Sequence, residues 1–203
     1  MRTQNLTGNI FVFGDKGKSE LVNDYLKSNK DNFKEILCVA PYNDYSNLLD
    51  KNQIIKGFNM VKVNDFIVNL KKIRKTESKP DPRLVVLDIN NTDYTSILRN
   101  VLLNSDYLNL TVVLTSNITK YPLDIRSSVN YVLLTHLNKK KLPHIWINFC
   151  SCTSDIPDYQ SFYDYIKKSK SNVHILDRKQ DQLEKYEFYI DGTWAWLLST
   201  VGY

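Results

Sequence analysis

Apolar runs that leave no polar face alternate along this chain with stretches whose apolar residues recur at helical spacing. That alternation constrains the fold more than any other feature. The runs NIFVF (9–13), EILCVA (35–40), RLVVLD (83–88), LTVVLTS (110–116) and YVLLT (131–135) each read as a strand buried along its whole length. Between them, KSELVNDYLKS brings Leu21, Val22, Tyr25 and Leu26 to one helix face. The stretch 63–75 does the same for Phe66, Ile67, Leu70 and Ile73, with lysines opposite. A further helical stretch carries Ile97, Leu98, Val101 and Leu102. Strands without a polar face, alternating with helices, predict an α/β fold in three layers with a mainly parallel central sheet covered on both sides. Beyond Thr135 the pattern loosens, then gives a helix near DYQSFYDYIKKSK and two strand-like runs, NVHILD and KYEFYID.

The 203 residues suit one domain over 1–203, with a core at about 9–135 and an extension of the same domain at about 136–203. No apolar run reaches the roughly 20 residues of a membrane span, and MRTQNLTGN lacks the apolar centre of a secretory signal, so a soluble intracellular protein is expected. The cysteines are Cys38, Cys150 and Cys152; the last two are one residue apart, an awkward spacing for a mutual disulfide, and reduced thiols are expected. A net charge of +5 is compatible with nucleic acid but is spread along the chain rather than gathered in a stripe.

The first strand runs directly into GDKGKS. A phosphate-binding loop needs a strand, a Gly-rich turn and a helix N-terminus, whose N–H groups and dipole cradle phosphate oxygens. The pattern G-x-x-x-x-G-K-[ST] takes eight residues. Here Gly14, Asp15, Lys16, Gly17, Lys18 and Ser19 supply six, and Asp15 puts a carboxylate where anions would bind. Two readings stand at this point: a shortened nucleotide loop, or an ordinary strand-to-helix turn containing glycine. RLVVLD ends in Asp88, which suits either the metal-supporting acid of a P-loop protein or a turn residue.

The run SDYLNLTVVLTSNITKYPLDIRSSVNYVLL (105–134) resembles the poxvirus-type DNA-packaging ATPases, the FtsK/HerA-like motors of large DNA viruses. In that family a Gly-Arg-His segment precedes a strand ending in Thr-Gln, followed by a loop with Pro, then Ile-Arg, then an Asn before the next strand. Pro122, Ile125, Arg126 and Asn130 stand in matching places, APYNDYSN resembles the family's loop after its second strand, and the likeness runs from about Asn9 to about Asp191.

The resemblance implies a RecA-like P-loop NTPase fold, ATP and Mg²⁺ as ligands, and double-stranded DNA and capsid or packaging-motor components as partners, in a homo- or hetero-oligomer. Carried over by position, Gly14, Gly17 and Lys18 would contact phosphates, Ser19 would hold Mg²⁺, and Asp88 would support the metal. Ser116 or Asn117 would stand at the sensor position, and Arg126 at the family's own arginine. The departures are as informative. Ile89 takes the place of the acid that orients or deprotonates the attacking water, and it can do neither. Asn90 and Asp93 are conceivable substitutes. NSDYLN replaces the arginine segment, and an arginine finger contributes about 10³ to 10⁵ in rate. Arg99 and Arg126 are candidate replacements for that role; Arg99 also reads as a solvated helix residue.

These losses bear on the transition state and cannot be recovered from ground-state affinity, so little or no hydrolysis is expected. The expected function is a packaging-ATPase-like protein with a decayed nucleotide site and a non-catalytic or DNA-associated role. An active but atypical packaging ATPase, or an interaction protein that reuses the fold without DNA, are the alternatives. His136, His144, Cys150 and Cys152 match no common zinc spacing, and no metal site is expected there. The basic clusters KKIRK (71–75), NKKK (138–141) and KKSKS (167–171) read as solvated faces or as phosphate contacts. DGTWAWLLSTVGY reads as the completion of the core or as a docking segment.

Overall fold

The structure is a computed structural model that describes residues 6–42, 44–57, 59–77, 80–89, 95–150, 158–168, 173–178 and 182–186. Its strands are β1 (Asn9–Phe13), β2 (Glu35–Val39), β3 (Ile54–Ile55), β4 (Arg83–Asp88), β5 (Leu110–Ser116), β6 (Tyr131–Leu134), β7 (Val173–Asp177) and β8 (Gln182–Tyr186). Its α-helices are α1 (Lys18–Asn29), α2 (Met60–Thr76), α3 (Thr95–Leu103), α4 (Leu123–Ser127), α5 (Leu142–Ile145) and α6 (Tyr159–Lys168).

The strands form one sheet in the order β3-β2-β4-β5-β1-β6-β7-β8. The pairs from β3 through β6 are parallel, whereas β6–β7 and β7–β8 are antiparallel. The fold is therefore three-layer α/β with a mixed, mostly parallel sheet, as the alternating pattern predicts. The antiparallel edge is where that pattern loosens.

Each central strand divides its side chains between two cores, as the period of two along a strand requires. Phe11 and Phe13 of β1, with Val85 and Leu87 of β4, pack on Ile67, Leu98, Ile125, Ile145 and Phe162, which places α2 to α6 on one face. Ile10, Val12, Leu84 and Val86 pack on Leu21, Val22 and Leu26 of α1 and on Tyr45 and Leu49 of the segment after β2. Because both faces are covered, β1, β4 and β5 are buried at every position.

Several details differ from the sequence expectation. β3 is two residues long and borrows its pairing from β2, too short to leave a periodic signal. The second helix begins three residues earlier than 63–75, because the Asn59 side chain accepts from the Lys62 N–H and caps it at Met60. β8 starts at Gln182, three residues before KYEFYID. HLNKKKLPHIWINFC folds into α5 followed by one π turn, Trp146–Cys150. No helix of the described residues is long and apolar enough to cross a membrane. The segment 191–203, with its tryptophans, lies outside the described residues.

Candidate functional site at the carboxyl ends of the sheet

β1 and β5 pair in register up to Phe13 and Ser116, and β4 pairs with β5 up to Asp88 and Thr115. The three strands therefore release their chains side by side at one edge. In open parallel sheets this carboxyl edge is where ligand sites form. Lys18, Ser19, Asp88, Ser116 and Asn117 all fall there, which a sequence reading gives only as an order along the chain.

The loop from Gly14 to Gly17 is short and tied down. Gly17 adopts φ +85°, a left-handed conformation that glycine takes without strain, and it starts α1 at Lys18. Gly14 is required for a different reason: a methyl group there would lie 1.7 Å from Thr135 Oγ1. The Thr135 hydroxyl donates to the Lys16 carbonyl at 2.6 Å, and the Asp15 N–H donates to the His136 carbonyl at 2.7 Å. Asp15 completes the stitching, since its carboxylate accepts from the Asn138 N–H at 2.7 Å and pairs with the Lys141 ammonium. The Lys141 hydrogen bond is the main reason its carboxyl titrates below the usual value; partial burial opposes it, and the Asn138 N–H adds to it. The acid that looked hostile to anions is thus neutralised from behind the loop.

Lys18 turns back on this frame. Its ammonium donates to the Gly14 carbonyl and to Asn117 Oδ1, both at 2.5 Å. Burial lowers its pKa, and Asp88 partly restores it. Asn117 therefore contacts the loop lysine, whereas Ser116 is consumed locally. The Ser116 hydroxyl oxygen accepts from the Ile118 N–H at 2.9 Å and from the Tyr121 hydroxyl at 2.7 Å.

Asp88 is 2% exposed and its carboxylate is already occupied by hydroxyl donors. The Tyr45 hydroxyl donates to Oδ2 at 2.8 Å, and the Thr115 hydroxyl donates to Oδ1. Tyr45 is itself fully buried. Burial, and next the Asp88 charge, push its phenol pKa strongly upward, so it remains a protonated donor; Ser19, nearby, acts weakly the other way. Cys38 on β2 lines this pocket, its thiol pushed up to about 12 by burial and then by Asp88.

A Mg²⁺ held as the resemblance implies needs Ser19 and Asp88 available. Both face the Tyr45 hydroxyl. A hydrogen bond to a charged group is worth about 1.5 to 3 kcal/mol, so displacing the Tyr45 hydroxyl from Asp88 costs about that much before any ion is bound. As arranged, this donor set does not fit a divalent cation.

The remaining candidates are placed as follows. Ile89 is buried among the apolar residues of the α2–α6 face. Asn90 and Asp93 lie outside the described residues. Arg99 is solvent-exposed, as read from the sequence, and pairs with Asp124 through two nitrogens. Arg126 donates to Asn148 Oδ1 at 2.7 Å, tying α4 to the π turn. His136 bridges to Lys16 through the backbone, Cys150 is buried, and Cys152 lies outside the described residues. Among the described residues no three His, Cys, Asp or Glu side chains gather. Of the basic clusters, Lys71 donates to Asn100 and Arg74 lies over the Tyr107 ring. Tyr45 and Thr135 escaped the sequence reading as site residues, while Thr115 entered it only beside Ser116 at the sensor position and Lys141 only within NKKK. The polar loop PYNDYSN carries two tyrosines, and nothing in its sequence separates the exposed Tyr42 from the buried Tyr45.

No family model and no curated protein matches the sequence. Solved structures do match. The DNA-packaging ATPase B204 of Sulfolobus turreted icosahedral virus superposes with TM-score 0.62 at 12% identity, covering 92% of this chain and 100% of that one. The genome-packaging NTPase B204 of Sulfolobus turreted icosahedral virus 2, in complex with AMPPCP, gives 0.59 at 14% identity, with the same coverage. The cytoplasmic domain of the type VII secretion ATPase EccC of Thermomonospora curvata gives 0.59 at 10% identity over 91% of this chain and 26% of that one. At such identities the likeness concerns the fold: the chain has a RecA-like P-loop NTPase fold, of the kind that viral packaging and bacterial secretion ATPases share.

Proposed function

We propose that the chain is a packaging-ATPase-like protein of a large DNA virus or related element whose nucleotide site has decayed, and that it serves a non-catalytic, DNA-associated role in genome packaging. The observation that carries this reading is Ile89, buried in the core immediately after Asp88. A hydrolase of this fold needs a group there that orients or deprotonates water, and Ile89, in the same buried apolar cluster as Leu87, Leu98 and Leu114, supplies none. The end-to-end coverage of the B204 packaging enzymes supports the packaging context.

The chemistry left to the site is electrostatic. Lys18 sits at the N-terminus of a 12-residue helix, where the dipole favours an anion by up to about 2 kcal/mol. Its ammonium is held by neutral acceptors, which a phosphate oxygen can replace. Ground-state binding of that kind does not lower a hydrolytic barrier.

ATP turnover by the purified full chain tests the reading. Wild type with Mg²⁺ is expected to release phosphate no faster than Lys18→Ala. A Mg²⁺-dependent rate that Lys18→Ala abolishes overturns it in favour of an active, atypical ATPase. The DNA role is tested separately by double-stranded DNA binding, expected to weaken steeply with salt through counterion release. Absence of binding at low salt leaves an interaction protein that reuses the fold.

A further inference from the structure

We infer that Tyr45 is a built-in substitute for the divalent cation: with Thr115, its hydroxyl takes up the Asp88 carboxylate and makes the site cation-free. This deepens the reading of a decayed site by naming what replaced the metal, and it rests on that reading for the ancestry of Ser19 and Asp88.

Three observations carry it. The first is geometric: the hydroxyl donates to Asp88 Oδ2 at 2.8 Å, on the carboxylate that the resemblance assigns to metal support, and it lies near Ser19. The second is that the other carboxylate oxygen is taken by Thr115, which leaves Asp88 satisfied without any ion. A buried carboxylate needs such donors, and two hydroxyls supply them.

The third is that the plug is anchored rather than opportunistic. Tyr45 belongs to the same buried cluster as Val12, Leu21, Val22, Cys38 and Val86, so its ring is part of the core on the α1 face. The Tyr45 carbonyl accepts from the N–H groups of Leu48 and Leu49 at 2.9 and 3.0 Å, and this turn fixes the backbone that presents the ring. Expelling the hydroxyl means withdrawing a large aromatic side chain. A phosphate held at Lys18 would therefore be bound as the free anion, not as a magnesium complex.

Mn²⁺ broadening of amide signals in the NMR spectrum of the full-length protein, without nucleotide, tests this, because paramagnetic broadening detects even millimolar affinity. In wild type the amides of Ser19, Asp88 and Thr115 are expected to broaden no more than those of exposed acidic residues such as Asp31. In Tyr45→Phe, which keeps the ring, they are expected to broaden at least tenfold more at equal Mn²⁺, and Tyr45→Phe/Asp88→Asn is expected to lose that gain. Selective broadening in wild type that Asp88→Asn removes overturns the inference. So does a folded Tyr45→Phe protein that gains nothing; should that variant not fold, the wild-type titration still decides. The outcome is distinct from that of the turnover assay. A chain that takes up Mn²⁺ at Asp88 yet hydrolyses nothing overturns the plug and leaves the decayed site, and a chain that excludes Mn²⁺ yet turns over ATP does the reverse.

Discussion

The Tyr45 hydroxyl and the Asp88 carboxylate meet at 2.8 Å inside the protein, although the two residues lie 43 positions apart and neither side chain reaches solvent. The pair joins the loop after β2 to the end of β4, so it is a structural bond as well as the feature that closes the site. Tyr45→Phe removes one hydrogen bond to a buried charged group and is expected to lower stability by about 1.5 to 3 kcal/mol. Urea unfolding checks this as a lower midpoint at unchanged slope. Thr115→Val acts on the same carboxylate, so the double variant is expected to deviate from additivity.

Gly14 and Thr135 form a second close pair. Gly14→Ala puts a methyl group 1.7 Å from Thr135 Oγ1 and forces the hydroxyl away from the Lys16 carbonyl, with an expected loss of about 1 to 3 kcal/mol, the usual range for overpacking. Adding Thr135→Ala removes the clashing atom and is expected to recover part of the melting temperature. Gly17→Ala meets no such clash, the nearest Thr135 atom being 3.6 Å away, and is expected to cost about 1 to 2 kcal/mol from left-handed backbone strain alone. Thermal unfolding of the four proteins gives the comparison.

Asp15 makes the loop sensitive to acid. Its folded pKa lies below the ordinary value of 3.8, chiefly because Lys141 holds the ionised form. The stabilisation is therefore fully present above the unfolded pKa and is lost as pH falls through the folded one. The pair is partly solvent-exposed, so the effect is expected to stay within about 1 kcal/mol. Asp15→Asn is expected to leave a shallower fall in urea midpoint between neutral pH and pH 3, and Lys141→Met to raise the Asp15 carboxyl pKa measured by NMR.

Cys38 and Cys150 are expected to resist alkylation in the native protein. Burial pushes both thiols up to about 12, and it is the thiolate that reacts. Iodoacetamide at pH 8 followed by peptide mapping is expected to leave both unlabelled, and to label both after denaturation in guanidinium. Rapid native labelling of Cys38 would mean that the pocket around Asp88 opens readily.

The layers of the fold were legible because burial on both faces writes itself into composition. LVVL and TVVLT carry no polar alternation, so β4 and β5 had to be central strands, and the helical spacing in 63–75 marked a one-sided helix. β3 and the π turn were not legible, since a two-residue strand and a single wide turn have no period to detect. Within the site, the spacing of Gly14, Gly17 and Lys18 marked the loop, and Ile89 marked the missing acid. The role of Asp15 was misjudged from sequence alone, because its partner Lys141 is 126 residues away.

By itself the sequence determined which segments are buried, hence the three-layer α/β class, and which side chains cannot do acid-base chemistry. Those are properties of single residues and their periodicity. Only the tertiary structure decided what stands next to Asp88. Strand order brings β1, β4 and β5 to one edge, and the turn after β2 sets the Tyr45 hydroxyl against Asp88. No local spacing encodes that contact, because it arises from the packing of two segments against opposite sides of the same buried carboxylate.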